Sequence, residues 1–225
     1  LEEVAGSSEC NGWRYDMYEI ERDLLLLAAK PAIKKGCYLI SDSVDVLEKG
    51  LKWGCAMVQL RDKVSSKEEI YKKACYVSQI SKQYNVPFII NDFIDIALLV
   101  DADGLHTGQD DLSITAQRRL LGDHKLLGRT THTVAQGQLA ENEGADYISI
   151  GPIWETPSKP GREAVGFEYL AVARDAITIP YVAIGGIDEG RIQDVMAYLP
   201  DMVGVVRSHA YIPDWQETYF SKVTI

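Results

Sequence analysis

Two short acidic segments, Asn91-Asp92 and Asp110-Asp111, stand where apolar runs end. The first closes Pro87-Phe88-Ile89-Ile90, and the second follows Gly104-Leu105-His106-Thr107-Gly108-Gln109. Carboxylates at the same end of neighbouring strands converge, and converging carboxylates repel unless a cation or a proton joins them. Arg61, Lys63 and Lys159 stand at comparable run ends. Acids beside cations in this pattern point to a magnesium-bridged polyphosphate, since Mg2+ takes one or two carboxylates together with phosphate oxygens and water. Asp92 and Asp111 meet that requirement, and the Asn91 amide can donate to a phosphate oxygen. Asp110 reads as a turn or cap residue, an ordinary place for aspartate.

Three further stretches carry chemistry. In Gln59-Leu60-Arg61-Asp62-Lys63, alternate residues share a face of a strand, so Gln59, Arg61 and Lys63 point together. Arg61 offers a bidentate fork and Lys63 a point charge, a combination suited to a diphosphate, whereas the same run taken alone would be a solvated loop. The segment Gly151 to Arg162 is long for a connection between a strand and a helix and concentrates hydroxyls with Lys159, as a lid over an anion would. Ala183-Ile184-Gly185-Gly186-Ile187 and Gly204-Val205-Val206-Arg207-Ser208 follow, and Gly185-Gly186 permits close approach of backbone N–H groups to a phosphate. Two anion sites result, one basic and metal-assisted, the other built mostly from backbone. No covalent nucleophile or Ser/His/Asp constellation accompanies them.

These residues need a scaffold that brings strand ends together. From Gly36 onward, apolar runs alternate with helical segments. Strands are expected over Cys37–Ser41, Ala56–Leu60, Pro87–Asn91, Gly104–Thr107, Leu126–Thr130, Tyr147–Gly151, Tyr181–Gly185 and Val203–Val206. Helices are expected over Val44–Trp53, Ser66–Tyr84, Ile94–Val100, Thr115–Leu121, Val134–Glu143, Phe167–Ala176, Gly190–Tyr198 and Pro213–Tyr219. Eight strand–helix pairs predict an α/β fold, a (β/α)8 TIM barrel, whose C-terminal strand ends build the common site. A doubly wound open sheet would want a glycine-rich first turn, and none follows Ile40. Residues 34–225 form the expected barrel domain. Residues 1–33 form an N-terminal tail and helix, with Met17, Ile20, Leu24 and Leu27 on one face, which either covers the barrel bottom or meets a partner or second subunit.

The net charge of -10 opposes binding to nucleic acid or an anionic membrane, yet leaves a small anionic substrate to local cations. No apolar run reaches the roughly 18 residues that span a bilayer, and Leu24–Ala29 follows acidic residues, unlike a signal peptide. Cys10, Cys37, Cys55 and Cys75 have no Cys-x-x-Cys spacing and read as reduced thiols of a cytoplasmic protein. Partners are therefore small molecules, with a homo-oligomer left open.

The ordered set QLRDK, ND, HTGQDD, GRTTHT, GPIWETPSKPGREAVG, AIGGI and GVVRS resembles the thiamine-phosphate synthase (thiamine-phosphate pyrophosphorylase) family over Gly36 to Ser208. The resemblance implies a Mg2+-dependent transferase of thiamine biosynthesis. Such an enzyme joins 4-amino-2-methyl-5-hydroxymethylpyrimidine diphosphate to 4-methyl-5-(2-hydroxyethyl)thiazole phosphate and releases diphosphate. By the same resemblance, Gln59, Leu60, Arg61, Asp62, Lys63, Asn91, Thr130 and Lys159 would contact the pyrimidine diphosphate. Asp92 and Asp111 would hold Mg2+. Thr156, Pro157, Ser158, Gly186 and the Val206-Arg207 backbone would hold the thiazole phosphate, with Arg61, Lys63 and Lys159 stabilising the leaving group.

The chain departs from the family pattern at Thr130 (commonly serine), Ser158 (commonly threonine), Phe93 (commonly basic) and Arg207 (commonly serine). A related branch, the thiazole tautomerases, implies an acid/base role for a histidine at the position of His132. The acidic pair Asp92 and Asp111 argues against that branch, and His132 is expected to be structural. His106 is expected to pack, and His124 and His209 to lie at the surface. A barrel that binds thiamine precursors without turnover is the remaining alternative.

Overall fold

Alternation of inward and outward side chains organises the protein. A computed structural model describes residues 29–157 and 161–221. Strands β1 (Gly36–Ser41), β2 (Met57–Leu60), β3 (Phe88–Asn91), β4 (Gly104–Thr107), β5 (Leu126–Thr131), β6 (Tyr147–Ile150), β7 (Tyr181–Ile184) and β8 (Met202–Val205) pair in parallel, in sequence order, into a closed barrel. Tyr38, Met57, Ile89, Leu126, Tyr147, Val182 and Met202 fill its interior. Their neighbours Cys37, Leu39, Val58, Phe88, Ile90 and Val203 belong to a separate apolar layer. Burial on both faces is why the strands read as continuous apolar runs.

The outer layer is completed by helices α1 (Val44–Lys52), α2 (Lys67–Tyr84), α3 (Ile94–Leu99), α4 (Ile114–Leu121), α5 (Val134–Asn142), α6 (Glu168–Ala176), α7 (Ile192–Met196) and α8 (Ile212–Trp215). Hydroxyl caps start several of them just beyond the strand ends. Ser43 Oγ accepts from the Val46 N–H, Ser113 Oγ from the Ala116 N–H, and Thr133 Oγ1 from the Gln136 N–H. Ser66 and Glu69 form a reciprocal capping box at the head of α2. At the opposite end of the barrel, Asp103, Asp146 and Asp201 accept from the N–H groups of Phe88, Leu127 and Tyr181, at the starts of β3, β5 and β7, at 2.8, 2.8 and 3.2 Å. Gln216 fastens the C-terminal segment there, accepting from the Cys37 N–H at 2.9 Å and donating to the Gly54 carbonyl at 2.5 Å.

The eight strands agree with expectation to within a residue at each end. Two helices do not. The helix expected over Gly190–Tyr198 is confined to Ile192–Met196, because the Asp188 carbonyl takes both the Arg191 and Ile192 N–H groups in an irregular first turn. The segment expected to be helical over Pro213–Tyr219 divides into a 3-10 turn (His209–Tyr211), α8 and a π turn (Gln216–Phe220). Of the tail and helix expected over residues 1–33, residues 1–28 lie outside the described residues.

Candidate active site

A cavity of about 330 Å³ opens at the C-terminal ends of the strands. Its lining includes Gln59, Arg61, Asn91, Thr130, Thr156, Gly186, Val206 and Arg207, eight residues that the sequence nominates for substrate. Seven of them arrive together because they stand within two residues of the end of a parallel strand, and Thr156 lies on the loop six residues after β6.

The floor of the cavity is a hydrogen-bonded column. Gln59 Nε2 donates to the Tyr38 hydroxyl at 2.5 Å, and that hydroxyl lies 2.9 Å from the Tyr147 hydroxyl. Tyr147 continues to His106 Nδ1 at 3.1 Å, and His106 Nε2 reaches Thr130 Oγ1 at 3.0 Å. Burial pushes the phenols of Tyr38 and Tyr147 well above the ordinary tyrosine range, so both remain protonated donors. His106, expected only to pack, is a junction of this column, with its ring stacked on Tyr147 at 5.5 Å. Tyr38 and Ser149 belong to the lining, Tyr147 to the barrel interior, and none has a sequence motif to mark it. Period-two counting places each of them inward, and only the strand register brings them to one level.

The charged groups sit on the loops beyond β2, β3 and β4. Lys63 Nζ and the Asp92 carboxylate form an ion pair there. Asp92 adopts a left-handed backbone (φ 61°), held by its N–H to the His106 carbonyl at 3.0 Å. An aspartate tolerates that conformation better than most side chains. Asp111 accepts the Gly108 N–H at 2.7 Å. Its loop is pinned by Arg129, which donates to the carbonyls of Gly108 and Leu112, and by Gln109, which donates to the Thr130 carbonyl at 2.6 Å. Asp92 and Asp111 are hard oxygen donors on adjacent strand ends, a set that suits Mg2+ completed by substrate oxygens and water. Lys63, Asp92 and Asp111 stand outside the cavity lining itself, beside Arg61 and Asn91, which belong to it.

Two nominated residues turn elsewhere. Leu60 packs into the layer between strands and helices. Asp62 is buried against Lys73 at 2.6 Å and accepts the N–H groups of Val64 and Ser65 at 3.0 and 2.9 Å. Burial opposes its ionisation, but Lys73 and those N–H donors outweigh it and hold the carboxyl below the usual range. Alternation along the strand explains both placements, since the two residues face opposite to Gln59, Arg61 and Lys63.

On the far side of the cavity, Gly185 and Gly186 both have positive φ, 103° and 72°. A Cβ on Gly186 would stand 2.7 Å from Trp154 Cβ, so the turn and the loop after β6 are in direct contact. Thr156 lies on that loop, and Pro157 is exposed at the last described position before Gly161. Ser158 and Lys159 lie outside the described residues. His132 is tied through Nδ1 to the Gly151 carbonyl at 2.5 Å and borders a separate recess with residues 161–165. That placement agrees with a structural histidine.

Comparison with known proteins sharpens this picture. A thiamine-phosphate synthase from a Nostoc species is 39% identical over 204 residues, covering 88% of this chain and 58% of that protein. The chain thus spans little more than half the length of that relative. One from Shouchella clausii is 44% identical over 156 residues, covering 69% of this chain and 75% of the relative. The structure of thiamine phosphate pyrophosphorylase from Pyrococcus furiosus superposes with a TM-score of 0.73 at 25% identity, covering 85% of this chain and 96% of the other. The TMP-TENI family model, described as thiamine monophosphate synthase, matches residues 34–208, and this chain belongs to that family.

Proposed function

We propose that the chain is a Mg2+-dependent thiamine-phosphate synthase, joining the pyrimidine diphosphate to the thiazole phosphate with release of diphosphate. The observation that carries the reading is one cavity with Arg61 and Asn91 on one side and the Gly185-Gly186 turn on the other. A diphosphate and a monophosphate could occupy those sides at once, with the two rings between them.

In this reading the C–O bond between the pyrimidine methylene and the diphosphate breaks, and its electron pair leaves with the diphosphate. The thiazole nitrogen supplies the pair for the new C–N bond, and the positive charge passes to the thiazolium. Arg61, Lys63 and Lys159 neutralise the departing charge, a task worth more in a cavity than in water. Asp92 and Asp111 would hold Mg2+, which would supply further positive charge against the leaving diphosphate. Gln59, with one amide N–H committed to Tyr38, presents its carbonyl for the amino group of the pyrimidine. The Tyr38–Tyr147–His106–Thr130 column keeps that floor rigid, so that ring positioning precedes chemistry. The Gly186 turn and the Val206-Arg207 backbone receive the thiazole phosphate, with the Thr156 hydroxyl and, by the family pattern, that of Ser158 as donors to it.

Small molecules are the partners in this proposal, and a cytoplasmic setting belongs to it. Free Cys37, Cys55 and Cys75 support a reducing compartment, and burial pushes the Cys55 thiol up to about 12, away from reactivity. Among the described residues no helix is long and apolar enough to cross a membrane. The test is formation of thiamine phosphate by the isolated chain from both substrates. Binding of both without product would favour a non-catalytic barrel instead.

A further inference from the structure

Arg191 belongs to none of the motifs above, yet it joins two walls of the cavity. Its Nη1 donates to the Gly186 carbonyl at 2.9 Å. Its guanidinium carbon lies 5.0 Å from the centroid of the Trp154 ring, within the range of a cation–π contact. Asp188 stands 3.8 Å away as a looser third neighbour. Trp154 is itself fixed, its N–H bonded to the Gly185 carbonyl at 3.1 Å and its ring set edge-on to Phe167 at 5.1 Å.

We propose that Arg191 is a positioning residue that clamps the loop after β6 to the turn after β7 and so shapes the monophosphate subsite. The proposal rests on the synthase reading for the identity of that phosphate. A trans peptide sets its carbonyl and its N–H in opposite directions. With the Gly186 carbonyl held by Arg191, the Ile187 N–H points away from the guanidinium, and Ile187 lines the cavity. Releasing the carbonyl would free the peptide plane to rotate at a glycine, where rotation is least hindered. The Trp154 contact transmits the same constraint to the loop that carries Thr156. Arginine suits the task because its planar fork can hydrogen-bond at its edge while its face lies on an aromatic ring, a division of labour that lysine lacks.

The test compares Arg191→Gln and Arg191→Lys with the unaltered protein, measuring KM for each substrate, kcat and Tm. Arg191→Gln is expected to raise KM for the thiazole phosphate about tenfold, with KM for the pyrimidine diphosphate and kcat within about twofold. Arg191→Lys recovers part of that loss, and Trp154→Phe gives a smaller rise in the same KM. Unchanged KM values, or equal rises for both substrates with a fallen Tm, would overturn the clamp. If the unaltered chain shows no turnover, the synthase reading fails, and the clamp is read from calorimetric titration with inorganic phosphate. Weaker binding to Arg191→Gln than to the unaltered chain then supports it; equal binding, or none to either, overturns it.

Discussion

Lys63 and Asp92, on the loops that follow β2 and β3, neutralise each other in an ion pair beside the cavity. Each is the natural partner of something else: the ammonium of a diphosphate, the carboxylate of a divalent cation. In the proposed reading, a metal–diphosphate complex would exchange this pair for one Lys63–phosphate and one Asp92–metal contact.

Asp92→Ala should therefore remove a metal ligand and leave Lys63 without its counter-charge. Turnover is expected to fall by about a hundredfold or more, with the Mg2+ concentration for half-maximal rate shifted upward. Steady-state rates across a Mg2+ titration check this, and a variant with unaltered Mg2+ dependence would remove Asp92 from the metal site.

Thr130 presents its hydroxyl to His106 Nε2 at 3.0 Å. Thr130→Ser keeps that oxygen and should act within a few-fold of the unaltered protein. Thr130→Val removes that bond and leaves Nε2 to Ser149 Oγ at 3.5 Å, costing about 0.5–1.5 kcal/mol, and should raise KM for the pyrimidine diphosphate. Matched kinetics of the two variants would show that the column plays no part in holding the ring.

Gly186→Ala puts a methyl group 2.7 Å from Trp154 Cβ on a residue with φ 72°. The turn must move, so KM for the thiazole phosphate should rise more than KM for the pyrimidine diphosphate, with a stability loss of about 1–3 kcal/mol. Kinetics with each substrate varied in turn, together with thermal denaturation, separate the two effects.

Asp62 gives a pH signature. Its folded-state pKa is depressed, so its contribution to stability is present above the unfolded carboxyl value, about 4, and is lost as pH falls toward the folded value. The Tm difference between the unaltered protein and Asp62→Asn should be constant from neutral pH down to about 5 and shrink below about 4. A difference that grows on acidification would contradict the Lys73 pairing.

Much of this was readable from the chain because a parallel barrel writes itself as apolar runs with polar ends. Asn91, Arg61 and Gly186 could be placed from those ends alone. Alternation also accounts for the placement of Leu60 and Asp62, since residues between Gln59, Arg61 and Lys63 must face the other way. The Tyr38–Tyr147–His106 column was not readable, because it depends on the register of β1, β4 and β6 around the closed barrel. Arg191 was hidden for a different reason: its partners are a carbonyl and a ring face, and neither leaves a residue-type signature at its own position.

The central claim is that both anion sites serve one reaction in this chain. The most direct measurement is a coupled diphosphate-release assay with both substrates present, with either one omitted, and with Mg2+ present or chelated. Stoichiometric diphosphate and thiamine phosphate are expected only when both substrates and Mg2+ are present. A folded chain that releases no diphosphate at saturating Mg2+, or releases it at the same rate without the thiazole phosphate, would contradict it.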